Sequence, residues 1–440
     1  MIYSMLKRGC RVGFFGLGKS NIALLSYLPL ENCSVVIRSD CKIDRGAIPS
    51  KISVERVLEG EDAVKDISED IIFFSPSVKR ERGEFVKARE RGVIFSSDAE
   101  LFFERNRLPI FAVSGSDGKS TTATLIHLLL SSEGIKSQLI GNIGEPMISH
   151  LDSDAECFVC ELSSFMLTYA CPKPQRGCIT NITPNHLDWH RSFEEYKETK
   201  ISLLKSSEKA VVFEENLGDF EPYGIISDRT DFCLLKERHR AKVYITSEGG
   251  FICKNGEKLL SISETSRKES HNIKNLMMAI AMTDGYVTAE KIKSIATSFN
   301  GLPHRCEKVL CKNGVEYIDS SIDSTPERTV QTLDALGRQV VILLGGRSKG
   351  LDYGRLSPAL KKYAKYAILI GENATEIFDK IGSSLPCEVF EDFELGVKRG
   401  SELARDVGVL LLSPASTSYD AFKNFAEKGE KFKEIILKYQ

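Results

Sequence analysis

The 440-residue sequence has no apolar run of the ~18 residues that a membrane span requires. Its opening residues, with Lys7, Arg8 and Arg11 beside no long apolar segment, do not read as a secretory leader. An excess of either charge is also lacking. The 59 basic and 61 acidic residues leave a net charge of -2, so neither nucleic acid nor a membrane surface is expected as a partner, and the expectation is a cytoplasmic monomer. Internal repeats and low-complexity tracts are absent. Of 12 cysteines, only Cys157 and Cys160 stand at C-x-x-C spacing, and no second pair lies nearby. They fall in an apolar segment that reads as a buried strand, where residues three apart face opposite sides, so they are read as packing rather than as a metal or redox pair. The other cysteines are scattered, most of them in apolar runs, as reduced thiols would be. What is present is ample core. Hydrophobic residues make up 42% and charged residues 27%, and the length suggests three domains at about 150 residues each.

The most informative stretch runs from Ile110 to Leu130. Apolar residues after Pro109 have strand character, Ser114 to Gly118 supply turn chemistry, and Leu125, Ile126, Leu128 and Leu129 recur at helical spacing. A strand, a glycine loop and a helix start in that order form a phosphate site, because backbone N–H groups around Gly115 and Gly118 can point inward and the helix terminus adds positive charge. Lys119 can neutralise the outer phosphates, and the Ser120 hydroxyl can ligate magnesium. The spacing departs from the common phosphate loop: two residues separate the glycines rather than four.

Upstream, the strand Arg11 to Phe15 leads into Gly16-Leu-Gly18-Lys-Ser-Asn21 and a helical run, and a second strand, Cys33 to Ile37, ends in Arg38-Ser39-Asp40. This looks like the first turn of a Rossmann unit with Asn21 in place of the third glycine. It is compatible with a nicotinamide cofactor, a nucleotide-sugar diphosphate, or a turn that merely packs helix on strand. Further strands are expected at Ile71 to Phe74 and Val93 to Phe95.

Beyond the phosphate loop, strands are expected at Lys136 to Ile140, Cys157 to Leu162 and Gly177 to Thr183. Glu161, at the ligand-binding edge of a parallel sheet, is a candidate magnesium ligand or else part of a helix-capping Glu/Ser cluster. His186 and His190 stand four apart, but the glutamate of a zinc HExxH motif is missing and Pro184 argues for a loop. Lys200 falls in a helix, where its default role is a solvated face. Short strands with Gly/Asn turns fill about 210–265, and a helix starts at Ser270. The punctuation Phe299-Asn-Gly301-Leu-Pro303 reads as a domain boundary. A third alternating unit follows, with strands at Val315 to Asp319, Gln339 to Leu344, Ala367 to Ile370 and Val409 to Leu412, and an amphipathic helix from Asp420 to Tyr439.

Taken in order, Gly115-Ser-Asp-Gly-Lys-Ser-Thr121, Gly141-Asn-Ile-Gly, Glu161-Leu-Ser-Ser-Phe, Asn181-Ile-Thr-Pro-Asn-His-Leu-Asp, His271-Asn, Gly301-Leu-Pro-His-Arg and Leu412-Ser-Pro-Ala resemble the motifs of the Mur ligases, ATP-dependent amide-forming enzymes of peptidoglycan precursor synthesis. Glu161-Leu-Ser-Ser-Phe165 and the run Ser413 to Phe425 are most similar to the glutamate-adding branch. The resemblance implies an α/β fold of three domains: a Rossmann-like UDP-substrate domain over 1–108, a P-loop ATPase-like central domain over 109–300, and a Rossmann-like domain for amino acid and ATP over 301–440. It implies UDP-N-acetylmuramoyl-L-alanine, D-glutamate and ATP as partners and magnesium as cofactor.

Residue by residue, the resemblance assigns Gly16, Leu17, Gly18, Lys19, Ser20, Arg38 and Ser39 to the UDP end of the nucleotide substrate, with Asn142 and Ser163 near its muramoyl-alanine portion. Gly115, Ser116, Asp117, Gly118, Lys119, Ser120, Thr121, Asn275, Arg305 and Asp319 are assigned to ATP. Ser120 and Glu161 serve one magnesium ion, and His186 and a carbamoylated Lys200 serve a second. Ser324, Lys349, Ser418 and Phe425 are assigned to the amino acid. One departure stands out: where the branch often reads Asn-Asp-Ser-Lys-Ala-Thr, this chain has Asp319-Ser-Ser-Ile-Asp-Ser324, which displaces the aspartate by one and replaces the lysine with Ile322.

Overall fold

A computed structural model describes residues 2–187, 189–225, 230–233, 244–348, 351–382 and 384–438. The chain divides into two compact units, Met1–Phe299 and Asn300–Gln440. Both are α/β, built on mainly parallel sheets.

The first unit holds two sheets. One is fully parallel and runs Val54–Glu59, Ser34–Ser39, Arg11–Phe15, Ile71–Phe74, Ile94–Ser96. Its middle strands are covered on both faces and are accordingly mostly apolar, wholly so in Ile71-Ile-Phe-Phe74. The strand Val54–Glu59 escaped the sequence reading because it is charged and only half-buried, as an edge strand can be. The other sheet runs Glu257–Ser261, Phe251–Lys254, Tyr244–Glu248, Thr230–Cys233, Lys209–Phe213, Arg176–Ile179, Ile110–Ser114, Cys157–Glu161, Ser137–Gly141. It is parallel except for the two outermost strands at the Glu257 end, which fold back as antiparallel ribbons.

The strand Ile110–Ser114 lies between Cys157–Glu161 and Arg176–Ile179, with Val113 beside Glu161 and Ser114 beside Ile179. That register brings the ends of all three strands to one edge. Behind them the helix Lys119–Ser132 buries Leu125, Ile126, Leu129 and Leu130, each such side chain contributing about 1.5–3 kcal/mol. Cys157 and Cys160 pack into separate hydrophobic clusters, as expected of positions three apart on a strand. Burial pushes both thiols up, Cys157 to about 11.

In the second unit a sheet runs Glu307–Lys312, Val315–Asp319, Val409–Leu412, Val340–Leu344, Ala364–Ile370, Cys387–Phe390, parallel except for its first strand. The last helix spans Phe425–Lys438, starting five residues later than its amphipathic pattern suggested, and Tyr439 lies outside the described residues. The Asn424 side chain accepts from Glu427 N, so the helix is capped there, and 418–424 is turn.

Candidate active site

The loop between Ser114 and Lys119 is shaped by two glycines in left-handed backbone, Gly115 at φ +137° and Gly118 at φ +77°. A Cβ on Gly115 would collide with Thr180 Oγ1, and one on Gly118 with Asn275 Oδ1. Only glycine satisfies both the torsion and the close approach. The loop is braced from outside. Ser116 N donates to Asn181 O and Asp117 N to Asn181 Oδ1, both at 2.9 Å. Ser116 Oγ meets Thr183 O at 3.0 Å and the Tyr196 hydroxyl at 2.9 Å. Lys119 opens the helix, its Nζ donating to Ser116 O at 2.7 Å, and Ser120 and Thr121 follow, buried in the first turn.

Glu161 ends the neighbouring strand with its carboxylate buried. Oε1 accepts from Asn142 Nδ2 at 2.6 Å, while Oε2 is buried with no partner among the described residues. A buried carboxylate oxygen without a partner is costly to maintain unless something occupies it. The helix-capping alternative falls to Ser163, which accepts from Met166 N at the start of Ser164–Tyr169.

Lys200 is not on a solvated face. It is 1% exposed, and its Nζ donates to Gly115 O at 2.7 Å while lying 4.6 Å from the centre of the Tyr196 ring. Burial first, and then the Lys119 charge, hold its amine well below the usual lysine range, favouring the neutral form. Helix amphipathicity could not reveal this, because the inward face of Phe193–Ser206 packs under a polar loop. Tyr196, four residues earlier on the same face, was missed; its helical spacing from Lys200 was the available signal.

His186 is exposed with φ +53°, its ring 4.8 Å from that of Phe165. His190 is buried among the rings of Phe165, Trp189 and Tyr196, with neither nitrogen partnered among the described residues. Asp188 lies outside the described residues.

The earlier glycine loop has a different set of contacts. Gly16 sits at φ +80°, against Ser75. Asn21, which replaces the third glycine, is fully buried and donates to Phe15 O, Gly16 O and Phe73 O. Leu17 packs against the core, Lys19 opens the helix Lys19–Tyr27, and Ser39 Oγ accepts from Cys41 N. Arg38 corrects the expectation that it faces a ligand. Its guanidinium is fully buried, bonded twice to Glu69 and to the carbonyls of Ala63, Lys65 and Asp66, which occupies all five N–H groups.

In the second unit, Asp319 is wholly buried and also faces inward: Oδ2 meets His304 Nδ1 at 2.7 Å and Oδ1 accepts from Ser321 N. His304, Glu307 and Asp319 form the single acidic and imidazole cluster compact enough to hold a cation among the described residues, but Lys433 Nζ stands 2.8 Å from Glu307 and already supplies the positive charge. Arg305 follows His304 and is half-buried. Ser324 is half-buried, and Ser418 Oγ is buried with no partner among the described residues. Phe425 is 38% exposed and sits 6.0 Å from the His304 ring. Lys349 lies outside the described residues.

At the edge of the larger sheet, then, a glycine cradle, an ammonium, a helix hydroxyl and an unpartnered carboxylate oxygen form a donor set suited to a polyphosphate and a hard divalent cation. Residues 113–283 match the model of the Mur ligase middle domain, and residues 304–416 that of the Mur ligase glutamate ligase domain. A protein of Ruminiclostridium cellulolyticum named UDP-N-acetylmuramoylalanine–D-glutamate ligase is 34% identical, over 97% of this chain and 96% of that one. The chain belongs to the Mur ligase family. A Clostridium botulinum protein of the same name is 33% identical to this Mur ligase over the same shares of the two chains. Among solved structures, the UDP-N-acetylmuramate-alanine ligase of Thermotoga maritima superposes with a TM-score of 0.59 at 18% identity, covering 98% of this chain and 100% of that one. The folylpolyglutamate synthase of the same organism gives 0.56 at 12% identity, over 78% of this chain and 93% of that one. At such identities these structures speak for the Mur ligase fold alone.

Proposed function

We propose that this Mur ligase joins D-glutamate to UDP-N-acetylmuramoyl-L-alanine with hydrolysis of ATP, as a cytoplasmic monomer. The observation that carries the reading is the 34% identity across nearly the whole length of a protein named for that reaction, N-terminal residues included. In the proposed chemistry an oxygen of the alanyl carboxylate bonds to the γ-phosphorus as its bond to the ADP oxygen breaks. The glutamate nitrogen then bonds to the acyl carbon, phosphate leaves with the bonding pair, and the amine protons pass to solvent. A carboxylate alone is inert to amines, whereas an acyl phosphate carries a good leaving group.

The ATP phosphates are assigned to Gly115, Ser116, Asp117, Gly118, Lys119, Ser120 and Thr121, with Asn275 against the loop. Lys119 leaves the Ser116 carbonyl to neutralise the transferring group. Magnesium, when bound, supplies further neutralisation of charge there. Ser120 and Glu161 are the residues assigned to hold it, and the unpartnered Glu161 oxygen supports that fit. His186 and Lys200 are assigned to a second ion, with Lys200 as its carbamate. A neutral, buried amine is the form that adds carbon dioxide, and the product is an oxygen ligand that an ammonium could not be.

We assign the UDP end to Gly16, Leu17, Gly18, Lys19, Ser20 and Ser39, with Arg38 stiffening the strand beneath, and the muramoyl-alanine end to Asn142 and Ser163. The amino acid is assigned to Ser324, Lys349, Ser418 and Phe425. Residues 1–108 are read as a Rossmann-like domain, supported by the parallel sheet with Arg11–Phe15 at its centre. Residues 109–300 are read as a P-loop ATPase-like domain and 301–440 as a second Rossmann-like one. Ile322 in place of the branch's lysine favours a second reading, an amide ligase of the same superfamily with a different incoming amine. Phosphate release with UDP-N-acetylmuramoyl-L-alanine and a panel of D- and L-amino acids separates the two. Release dependent on D-glutamate supports the first; release with another amine only, or none at all, overturns it.

A further inference from the structure

The short helix Asp98–Arg105 is shared between the two sheets of the first unit. Leu101 packs in the cluster around Val12, Phe14 and Leu24, whereas Ala99 and Phe102 pack with Ile110 and Phe158. Its polar side chains reach further. Asp98 is 2% exposed, and its carboxylate accepts from Ile148 N at 2.8 Å and Met147 N at 3.2 Å. These two residues lie just beyond Gly141–Gly144, the loop that carries Asn142, with Glu145 and Pro146 between. The same helix reaches the Gly16–Gly18 turn through Leu101, which shares a cluster with Leu24 of the helix that follows the turn and with Leu17 packed against it. Burial raises Asp98 to about 6, while the two backbone donors pull the other way, so those contacts are what keep a charge there.

Two residues on, Glu100 binds the buried Arg80 through both terminal nitrogens, at 3.1 and 2.5 Å. Arg80 lies 4.1 Å from the centre of the Tyr169 ring and donates its backbone N–H to the Tyr169 hydroxyl. Tyr169 ends the helix that Ser163 caps. On the outer side, Tyr27 donates to Asp152 at 2.6 Å, and Ile148 is buried in the cluster of the first sheet. One helix therefore touches the Gly16–Ser20 loop, the turn behind Asn142 and, through Arg80, the helix that starts at Ser163.

We infer that Asp98 is a positioning residue that sets the spacing between the loop holding the UDP end and the loop holding the muramoyl-alanine end of the nucleotide substrate. The inference rests on the substrate assignment above. A gauge of this kind affects only ligands that engage both ends at once. UDP alone touches one loop and is indifferent to the spacing, whereas the complete nucleotide substrate must match it.

The test uses the full chain, with calorimetric binding of UDP and of UDP-N-acetylmuramoyl-L-alanine, and steady-state phosphate release. Asp98→Asn keeps one acceptor and turns an amide donor toward a backbone N–H. It is expected to weaken the complete substrate about tenfold and UDP less than about twofold, with kcat at saturation and KM for ATP within about twofold of wild type. Tyr27→Phe, which removes only the outer tie, is expected to show the same selectivity at about threefold, and it decides the matter if the Asp98 variant does not fold. Equal weakening of both ligands would mean that Asp98 merely supports the fold, and unchanged affinities would mean that the spacing does not depend on it. Either result overturns the inference. A wild-type enzyme that releases no phosphate with this substrate instead overturns the functional reading, so the two failures are distinguishable.

Discussion

The first unit contains the same local construction twice: a central parallel strand, a glycine turn at positive φ, and a helix. After Phe15 the turn is closed by its own side chains, with Asn21 stitching it to two strands and Ser75 Oγ donating to Gly16 O. After Ser114 the turn is held open by its neighbours, with Asn181, Thr183 and Tyr196 gripping the loop and Glu161 and Lys119 delivering charge beside it. Shared strand-turn-helix grammar thus says little about chemistry. What makes one turn a candidate for phosphoryl transfer is the presence of an ammonium and an unsatisfied carboxylate on the adjoining strand and helix.

If that contrast holds, the largest effect comes from Lys119→Ala, which should lower substrate-dependent phosphate release about a thousandfold. UDP binding at the other turn should be unchanged by calorimetry; wild-type turnover would remove the distinction between the turns. Lys200→Ala should lower activity about a hundredfold and recover in part with a short carboxylic acid, as replacement of an oxygen ligand should allow. Labelled bicarbonate gives a second readout, a carbamate carbon resonance present in the wild type and absent from the variant. Asn21→Ala acts on the stitched turn. Removing a donor shared by three buried carbonyls should cost about 2 kcal/mol in denaturant unfolding, with KM for ATP unaltered. The smallest effect is expected at Gly18, which has φ -88° and where an added Cβ would meet nothing nearer than Ser75 Oγ at 3.6 Å. Gly18→Ala should change stability by no more than about 0.5 kcal/mol, whereas Gly118→Ala, at φ +77° against Asn275, should damage the ATP turn.

Apolar runs located the strands that matter most, because Arg11–Phe15, Ile71–Phe74, Cys157–Glu161 and Val340–Leu344 are buried on both faces and are apolar apart from Arg11 and Glu161 at strand ends. They missed Val54–Glu59, whose partial exposure relaxes that pattern, and the antiparallel edge strand Glu307–Lys312. At the site, Gly115, Gly118 and Lys119 were legible because a cradle and its cation are contiguous in sequence. The burial of Lys200 and the contacts of Tyr196 and Asp98 were not, since each is set by residues dozens of positions away. Arg38 shows the opposite case: the resemblance assigned it to the UDP end, and its guanidinium is enclosed and paired with Glu69. Ser97 caps the helix Asp98–Arg105 by accepting from Glu100 N, but nothing local to that stretch fixes the helix's place between two sheets.

The sequence by itself determined where the chain can turn sharply, which strands must be buried and which residue types stand at the ends of those strands, because torsional freedom and hydrophobic period are local properties. Only the tertiary structure decided that Glu161 keeps an oxygen unpartnered, that Lys200 loses its solvent and that Arg38 is enclosed. Solvation and pairing depend on which distant groups fill the surrounding space, and that is settled only when the sheets are assembled.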